Sequence, residues 1–225
     1  MNDPVLLLAK PDRWSDDAER LARLLFGDRL VVARGRVGDP FPDLGTAPRF
    51  AVLLSFLSPW IVPAALLERA GVALNFHPGS RDYPGTGCYN FALYEGAALY
   101  GPVCHHMAAT VDTGAIVDER LFAVAPAETV ETLKFRTMVA MLALFHDIAS
   151  RLAAGQPLPE AAGSWSRRPF TRREMNALCR IAPDMPAQEI RRRVRAMTYP
   201  GSPGPTVELA GVQFASPVPA REPLA

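Results

Sequence analysis

Val5 to Ala9, Leu30 to Ala33 and Phe50 to Phe56 are short, nearly unbroken apolar runs. Runs of this length predict strands covered on both faces, the pattern of a buried parallel sheet. Between the first two, the apolar spacing widens to three and four, through Ala18, Leu21, Ala22 and Leu25. That spacing predicts an amphipathic helix, with Ser15 as its N-cap and Asp16, Asp17 and Glu19 favouring its positive end. A polar, Gly/Pro-rich connection runs from Arg34 to Arg49. Further on, the pattern predicts a short helix over Ala64 to Ala70 and a strand ending in Val72-Ala73-Leu74. A second short helix follows over Asn90 to Glu95, then strands over Tyr100 to Met107 and Ala115 to Val124. A long helix runs from Val130 to about Ala154 and buries Leu133, Met138, Met141, Leu142, Phe145 and Ile148, until Gly155 ends it. Strands alternating with helices imply an α/β domain whose central, mostly parallel sheet is flanked by helices.

From Gln156 the composition shifts, which predicts a catalytic part over residues 1–155 and an appendage over 156–225. Thr171 and Glu174 have capping-box spacing, and Pro186 to Met197 reads as a helix carrying Arg191, Arg192, Arg193 and Arg195. These arginines either bind phosphate or form a solvated helix face. Val207 to Phe214 reads as a β-hairpin. A lone two-stranded ribbon is marginally stable in water, so pairing with a second subunit, and hence a homodimer, is expected.

At 225 residues and 49% apolar content, the chain can bury one good core. A net charge of +1 gives no whole-chain electrostatic case for nucleic acid. Cys88, Cys104 and Cys179 form no C-x-x-C pair, which suits a reducing cytoplasm better than a disulfide framework. No basic segment followed by an apolar core opens the chain, and no apolar run approaches membrane-spanning length. The expectation is a soluble, cytoplasmic protein without membrane partners.

The candidate chemistry lies between Leu74 and Ile116. Asn75 and His77 sit two apart at the end of an apolar run, so on an extended strand both side chains share one face. An amide and an imidazole together suit a developing oxyanion, and a nearby carboxylate can orient or charge the imidazole. Asp112, beyond a second apolar strand, is the candidate carboxylate. An Asn-x-His pair at a strand end also reads as plain turn chemistry. His105 and His106 are adjacent and point to opposite strand faces; a structural or supporting role suits His105, and His106 has none assigned. His146, within the long helix, reads as a surface or packing residue. No H-E-x-x-H or Cys/His cluster is present, so no metal is expected.

Asn75-Phe76-His77-Pro78, Tyr83-Pro84-Gly85, Ala92-Leu93, Gly96, Gly101, His105 and Asp112-Thr113-Gly114-Ala115-Ile116 recur in order. Taken together they resemble the folate-dependent formyltransferases over about residues 50 to 140. The resemblance implies a Rossmann-like formyltransferase fold, with 10-formyltetrahydrofolate as donor and a primary amine as acceptor. Asn75, His77 and Asp112 would then be catalytic. Phe56, Leu57, Ile61 and Val62, with Thr110 and Val111 opposite, would line the slot for the folate's pteridine ring, beside Trp60. The same residues would equally serve to pack a helix onto the sheet. Pro78, Gly79, Tyr83 and Gly85 would meet the acceptor.

Two departures narrow the acceptor. The glycinamide ribonucleotide branch holds its phosphate on a Gly-rich loop after the first strand, whereas this chain has Lys10-Pro11-Asp12-Arg13-Trp14 there. The methionyl-tRNA branch carries Ser-Leu-Leu-Pro and Arg-Gly-Ala-Ala-Pro-Ile runs that this chain lacks, and the appendage is too short for that branch's RNA-binding barrel. The form found here looks more like the sugar-nucleotide N-formyltransferases, which implies a nucleotide-linked amino sugar as partner, no nucleic acid, and a place in cell-surface glycan (O-antigen, lipopolysaccharide) precursor synthesis. The alternatives are another formyltransferase of the glycinamide ribonucleotide or methionyl-tRNA type, or a non-catalytic folate-binding protein on the same scaffold.

Overall fold

The structure is a computed structural model that describes residues 3–44, 49–159 and 163–215. The end of the Arg34 to Arg49 connection at 45–48, and the appendage at 160–162 and 216–225, lie outside the described residues. The chain opens with β1 (Val5–Ala9), α1 (Arg13–Phe26), β2 (Leu30–Arg34) and β3 (Phe50–Phe56). Then come α2 (Ala64–Leu67), β4 (Ala70–His77), α3 (Cys88–Glu95), β5 (Leu99–Tyr100), β6 (Val103–His106), β7 (Ile116–Glu119) and β8 (Phe122–Ala123). The long helix α4 spans Val130–Ala153.

The central sheet has the order β2-β1-β3-β4-β6-β7. Its first four strands are parallel, and β6 and β7 are antiparallel to their neighbours. β1 shows why its run is unbroken. Val5 and Leu7 face one cluster with Ala18 and Ala22 of α1 and Met141, Leu144 and Phe145 of α4. Leu6 and Leu8 face the other, with Leu53, Val62 and Leu66. Both faces of the strand are covered, so every position must be apolar. Phe145 is fully buried against Phe56 and Phe76, and truncating such a residue to alanine costs about 3–5 kcal/mol.

Several expected boundaries move, each for a local reason. Asp12 rather than Ser15 caps α1, accepting from Ser15 N at 2.9 Å, which places Ser15 inside the first turn and fully buried. α2 stops at Leu67 because β4 begins at Ala70. The strand expected over Tyr100 to Met107 is broken at Gly101-Pro102. Pro102 has no N–H for a ladder, and a Cβ at Gly101 would lie 1.8 Å from Arg120 O. Leu99–Tyr100 therefore pairs with Phe122–Ala123 as a separate ribbon.

Beyond α4, a connecting segment leads to α5 (Arg172–Leu178), β9 (Arg180–Ile181), α6 (Ala187–Met197) and the hairpin β10 (Thr206–Leu209) and β11 (Val212–Ala215). The Thr171/Glu174 capping box is present. The hairpin is not a lone ribbon, because β9 adds a third, parallel strand to β10. The arginines of α6 act as staples. Arg193 reaches the carbonyls of Ala177 and Arg180 and the carboxylate of Glu189. Arg192 reaches Tyr94 O, and Arg195 reaches Glu128 O. No helix among the described residues is long and apolar enough to cross a membrane.

Candidate active site

β4 and β6 pair so that Asn75 lies opposite His105 and His77 opposite Val103. Phe76 and Cys104 turn into the cluster under α4. By alternation, Asn75, His77 and His105 share the other face. Asp112 reaches them from a turn in which it holds φ +51°, a left-handed conformation that aspartate tolerates better than most residues. Its carboxylate sits between the two imidazoles. Oδ2 lies 3.3 Å from His77 Nδ1, and Oδ1 lies 3.3 Å from His105 Nε2. Gly85 N donates to Oδ2 at 2.9 Å, and Asn75 Nδ2 lies 3.5 Å from Oδ1.

The electrostatics follow from this crowding of donors. Burial alone would raise the Asp112 carboxyl, but the His77 and His105 rings and the Gly85 N–H outweigh it and hold the pKa at about 2. Asp112 is therefore a carboxylate at any ordinary pH. His77 Nε2 faces Tyr83 O at 3.0 Å, so both of its ring nitrogens point at acceptors. A neutral imidazole has one N–H, and only the imidazolium serves both contacts. His105 Nδ1 donates to His106 O at 2.8 Å, and its Nε2 lies 3.1 Å from Asn75 Nδ2 and 3.3 Å from Asp112 Oδ1. The site thus holds a fixed negative charge, a ring able to carry a proton, and an amide, all at the C-terminal edge of the parallel strands. Ligands of open α/β sheets bind at that edge.

The other expected site residues lie around this centre. Gly79 is buried, and a Cβ there would come within 2.7 Å of His77 Nε2 and 2.8 Å of Tyr83 O, so only glycine lets the loop close this tightly. Pro78 is half-buried, and its carbonyl accepts from Tyr100 Oη at 2.9 Å. Tyr83 offers its carbonyl to the site while its ring is buried between Tyr100 and Phe170. On the slot side, Phe56 is fully buried against Phe76 and Phe145. Its ring belongs to the core and offers no face to a ligand, which corrects its place in the slot. Leu57 is half-buried at φ +56°, and Val62 packs below with Leu66 and Met107. Ile61 is 73% exposed and Val111 49%, with Thr110 also exposed. Trp60 packs against Phe41 with the rings tilted and donates to Asp39 O. Among the described residues, no group of His, Cys, Asp and Glu is arranged to hold a metal ion.

Two side chains at this centre stand outside the expected set. His105 joins the constellation directly, through the cross-strand pairing with Asn75. The signal available was its seven-residue lead on Asp112, together with its place on β6. Trp165 comes from the segment after α4. Its Nε1 donates to Gly114 O at 2.8 Å, and its ring stands nearly perpendicular to those of His77 and His105, at centroid distances of 5.8 and 5.1 Å. Nothing local in the sequence pointed to it.

The formyl transferase family model matches residues 46–145, the stretch that carries Asn75, His77, His105 and Asp112, and this match supports a formyl-transferring enzyme. Among curated proteins, the chain is similar to the methionyl-tRNA formyltransferase of Verminephrobacter eiseniae. The two are 25% identical over 93% of this chain and 68% of that protein. Among solved structures, it is similar to a sugar N-formyltransferase from Shewanella sp FDAARGOS_354, with TM-score 0.77, 14% identity, and coverage of 97% of this chain and 98% of that one. It is also similar to an N-formyltransferase from Helicobacter canadensis in complex with folinic acid and dTDP-3-aminofucose, with TM-score 0.71, 16% identity, and coverage of 86% and 80%. At these identities, the structural likeness is one of fold.

Proposed function

We propose that this chain transfers a formyl group from 10-formyltetrahydrofolate to the primary amine of a nucleotide-linked amino sugar. The observation that carries the reading is the Asp112 carboxylate shared by two imidazoles beside the Asn75 amide, within the segment matched by the formyl transferase family. The sugar-nucleotide acceptor is supported by the structural relatives and by the absence of a glycine-rich phosphate loop after β1. The methionyl-tRNA reading is favoured by the curated relative and serves as the control.

The residues divide the work as follows. As the amine nitrogen bonds to the formyl carbon, negative charge gathers on the formyl oxygen. The Asn75 amide and the His77 ring would be the donors that meet it, His77 Nε2 turning from Tyr83 O to do so. Asp112 holds the His77 ring in orientation, stabilises its charged form, and can take the amine proton directly or through water. The bond from the formyl carbon to N10 then breaks and N10 gains a proton, leaving tetrahydrofolate and an N-formyl sugar. The pteridine would lie against Ile61, Leu57 and Val111. The two loops that bear these residues leave one apolar cluster, where Val62 packs with Met107, and their exposed apolar side chains suit a flat heteroaromatic ring.

The test is to incubate purified protein with the formyl donor and, separately, dTDP-, GDP- and UDP-linked amino sugars and methionyl-tRNA. The expected result is release of tetrahydrofolate only with an amino sugar nucleotide, whose mass rises by one formyl group. Transfer to methionyl-tRNA alone would replace the acceptor, and donor binding without transfer to any amine would leave a folate-binding protein.

A further inference from the structure

The segment from Trp165 to Phe170 lies beyond the stretch matched by the family and crosses over the two imidazoles. At one end, Trp165 is tied to the turn after Asp112, by its hydrogen bond to Gly114 O at 2.8 Å. At the other, the segment is clipped to the loop that offers Tyr83 O and Gly85 N to the site. Phe170 N donates to Pro84 O at 2.9 Å, and Thr86 N donates to Phe170 O at 2.9 Å. Phe170 also stacks on Phe91 at 3.8 Å with the rings 7° from parallel, and Arg167 pairs with Glu95 at 2.8 Å. Ser166 N donates to Arg81 O at 3.2 Å, and Arg81 is itself held by Glu119. The strap is thus anchored on both sides of the Asp112 carboxylate, and the Trp165 ring is the part that bears on His77 and His105.

We propose that Trp165 is a positioning residue for formyl transfer, one that holds both imidazoles against Asp112 and keeps water away from the formyl carbon. The inference rests on the formyl-transfer reading above. Three contacts carry it: two near-perpendicular ring contacts and one hydrogen bond from a half-buried indole to a backbone carbonyl. The two His77 nitrogens meet a carboxylate at 3.3 Å and the Tyr83 carbonyl at 3.0 Å, and the same strap pins the loop that bears that carbonyl. A ring packed against both imidazoles fixes the plane in which their nitrogens lie. It also covers one side of both rings. Loss of that cover opens a competing reaction. A water oxygen bonds to the formyl carbon, the bond to N10 breaks, N10 takes the proton, and formate leaves in place of the formylated amine.

The test uses the full chain and two substitutions. In Trp165→Ala, turnover should fall roughly tenfold to a thousandfold, the sum expected for two aromatic contacts and one hydrogen bond. The KM values for donor and acceptor should move less than about threefold, because the loss falls on the chemical step. Formate released per formyl transferred should rise. Trp165→Phe keeps a ring over the imidazoles and loses only the N–H, so it should stay within about tenfold of the parent. Imidazole nitrogen NMR of the substrate-free protein gives a readout independent of activity. Trp165→Ala should shift the His77 and His105 resonances and leave His106 and His146 in place. Unchanged His77 and His105 resonances in Trp165→Ala would overturn the proposal, as would a loss confined to KM. Should the alanine variant fail to fold, the phenylalanine variant decides: imidazole resonances like the parent's with turnover near normal support it, and turnover lost with unchanged resonances refutes it. A parent protein that transfers formyl to no amine would sink the functional reading alone, and the imidazole spectra would still judge Trp165.

Discussion

Asp112→Asn is the substitution that most directly probes the constellation. The carboxylate faces donors on both oxygens: Gly85 N and His77 at Oδ2, and His105 and Asn75 at Oδ1. An asparagine must present its NH2 to one of those sets, so at least one donor pair is left facing a donor. The larger effect is the lost charge. At 3.3 Å and an effective dielectric constant of about 20, a carboxylate stabilises an imidazolium by about 5 kcal/mol. Relief of the buried carboxylate's desolvation returns part of this, leaving about 3 kcal/mol, or roughly a hundredfold in rate. The assay is steady-state transfer to the amino sugar nucleotide, run beside circular dichroism and thermal unfolding. The expected result is a folded protein whose turnover is lower by about a hundredfold or more, with KM little changed. Turnover within about threefold of the parent, in a protein shown to be folded, would remove Asp112 from the mechanism and refute the charge argument.

The same carboxylate makes an acid-limb prediction. Its folded pKa of about 2 lies below the ordinary 3.8, so its stabilisation is present above about pH 4 and is lost as pH falls through about 2. In denaturant unfolding, the parent should lose about 2 kcal/mol across that window that Asp112→Asn does not lose; parallel curves would contradict it. Ile61→Asp should weaken folate binding while leaving acceptor binding and fold stability unchanged, because Ile61 is 73% exposed in the free protein. Isothermal titration with each ligand checks this, and equal loss of both ligands would return Ile61 to a packing role. Phe214 is 51% exposed on β11, an edge strand, and we propose that this edge pairs with a second copy of the chain. Size-exclusion chromatography should then show a dimer that Phe214→Glu turns into a monomer without lowering Tm; a monomeric parent, or a dimer that survives the change, would refute the pairing.

The sheet was legible because its central strands are covered on both faces, and unbroken runs such as Val5–Ala9 have no other use in a chain of this kind. Asn75 and His77 were legible because alternation on one strand is local. Asp112 was reachable through the order of motifs around it. His105 was harder. Its role depends on the register between β4 and β6, which sets it opposite Asn75, and no mark in the sequence fixes that partner. Trp165 was out of reach, since it meets Gly114 across 51 positions through a connection with no regular pattern. Phe56 misled because a residue at a strand's end can turn either to the ligand or to the core, and here the α4 ring Phe145 claims it.

The stapled arginines have a consequence for how a substrate arrives. Arg167 is paired with Glu95, Arg168 with Glu174, and Arg193 with Glu189. These three charges are balanced locally, yet between residues 163 and 215 nine arginines stand against four carboxylates, so this end keeps a net positive charge. An anionic acceptor nearing it meets an attraction that the ion pairs weaken but do not cancel. Its association rate should therefore fall between low salt and physiological ionic strength, where the screening length is about 8 Å.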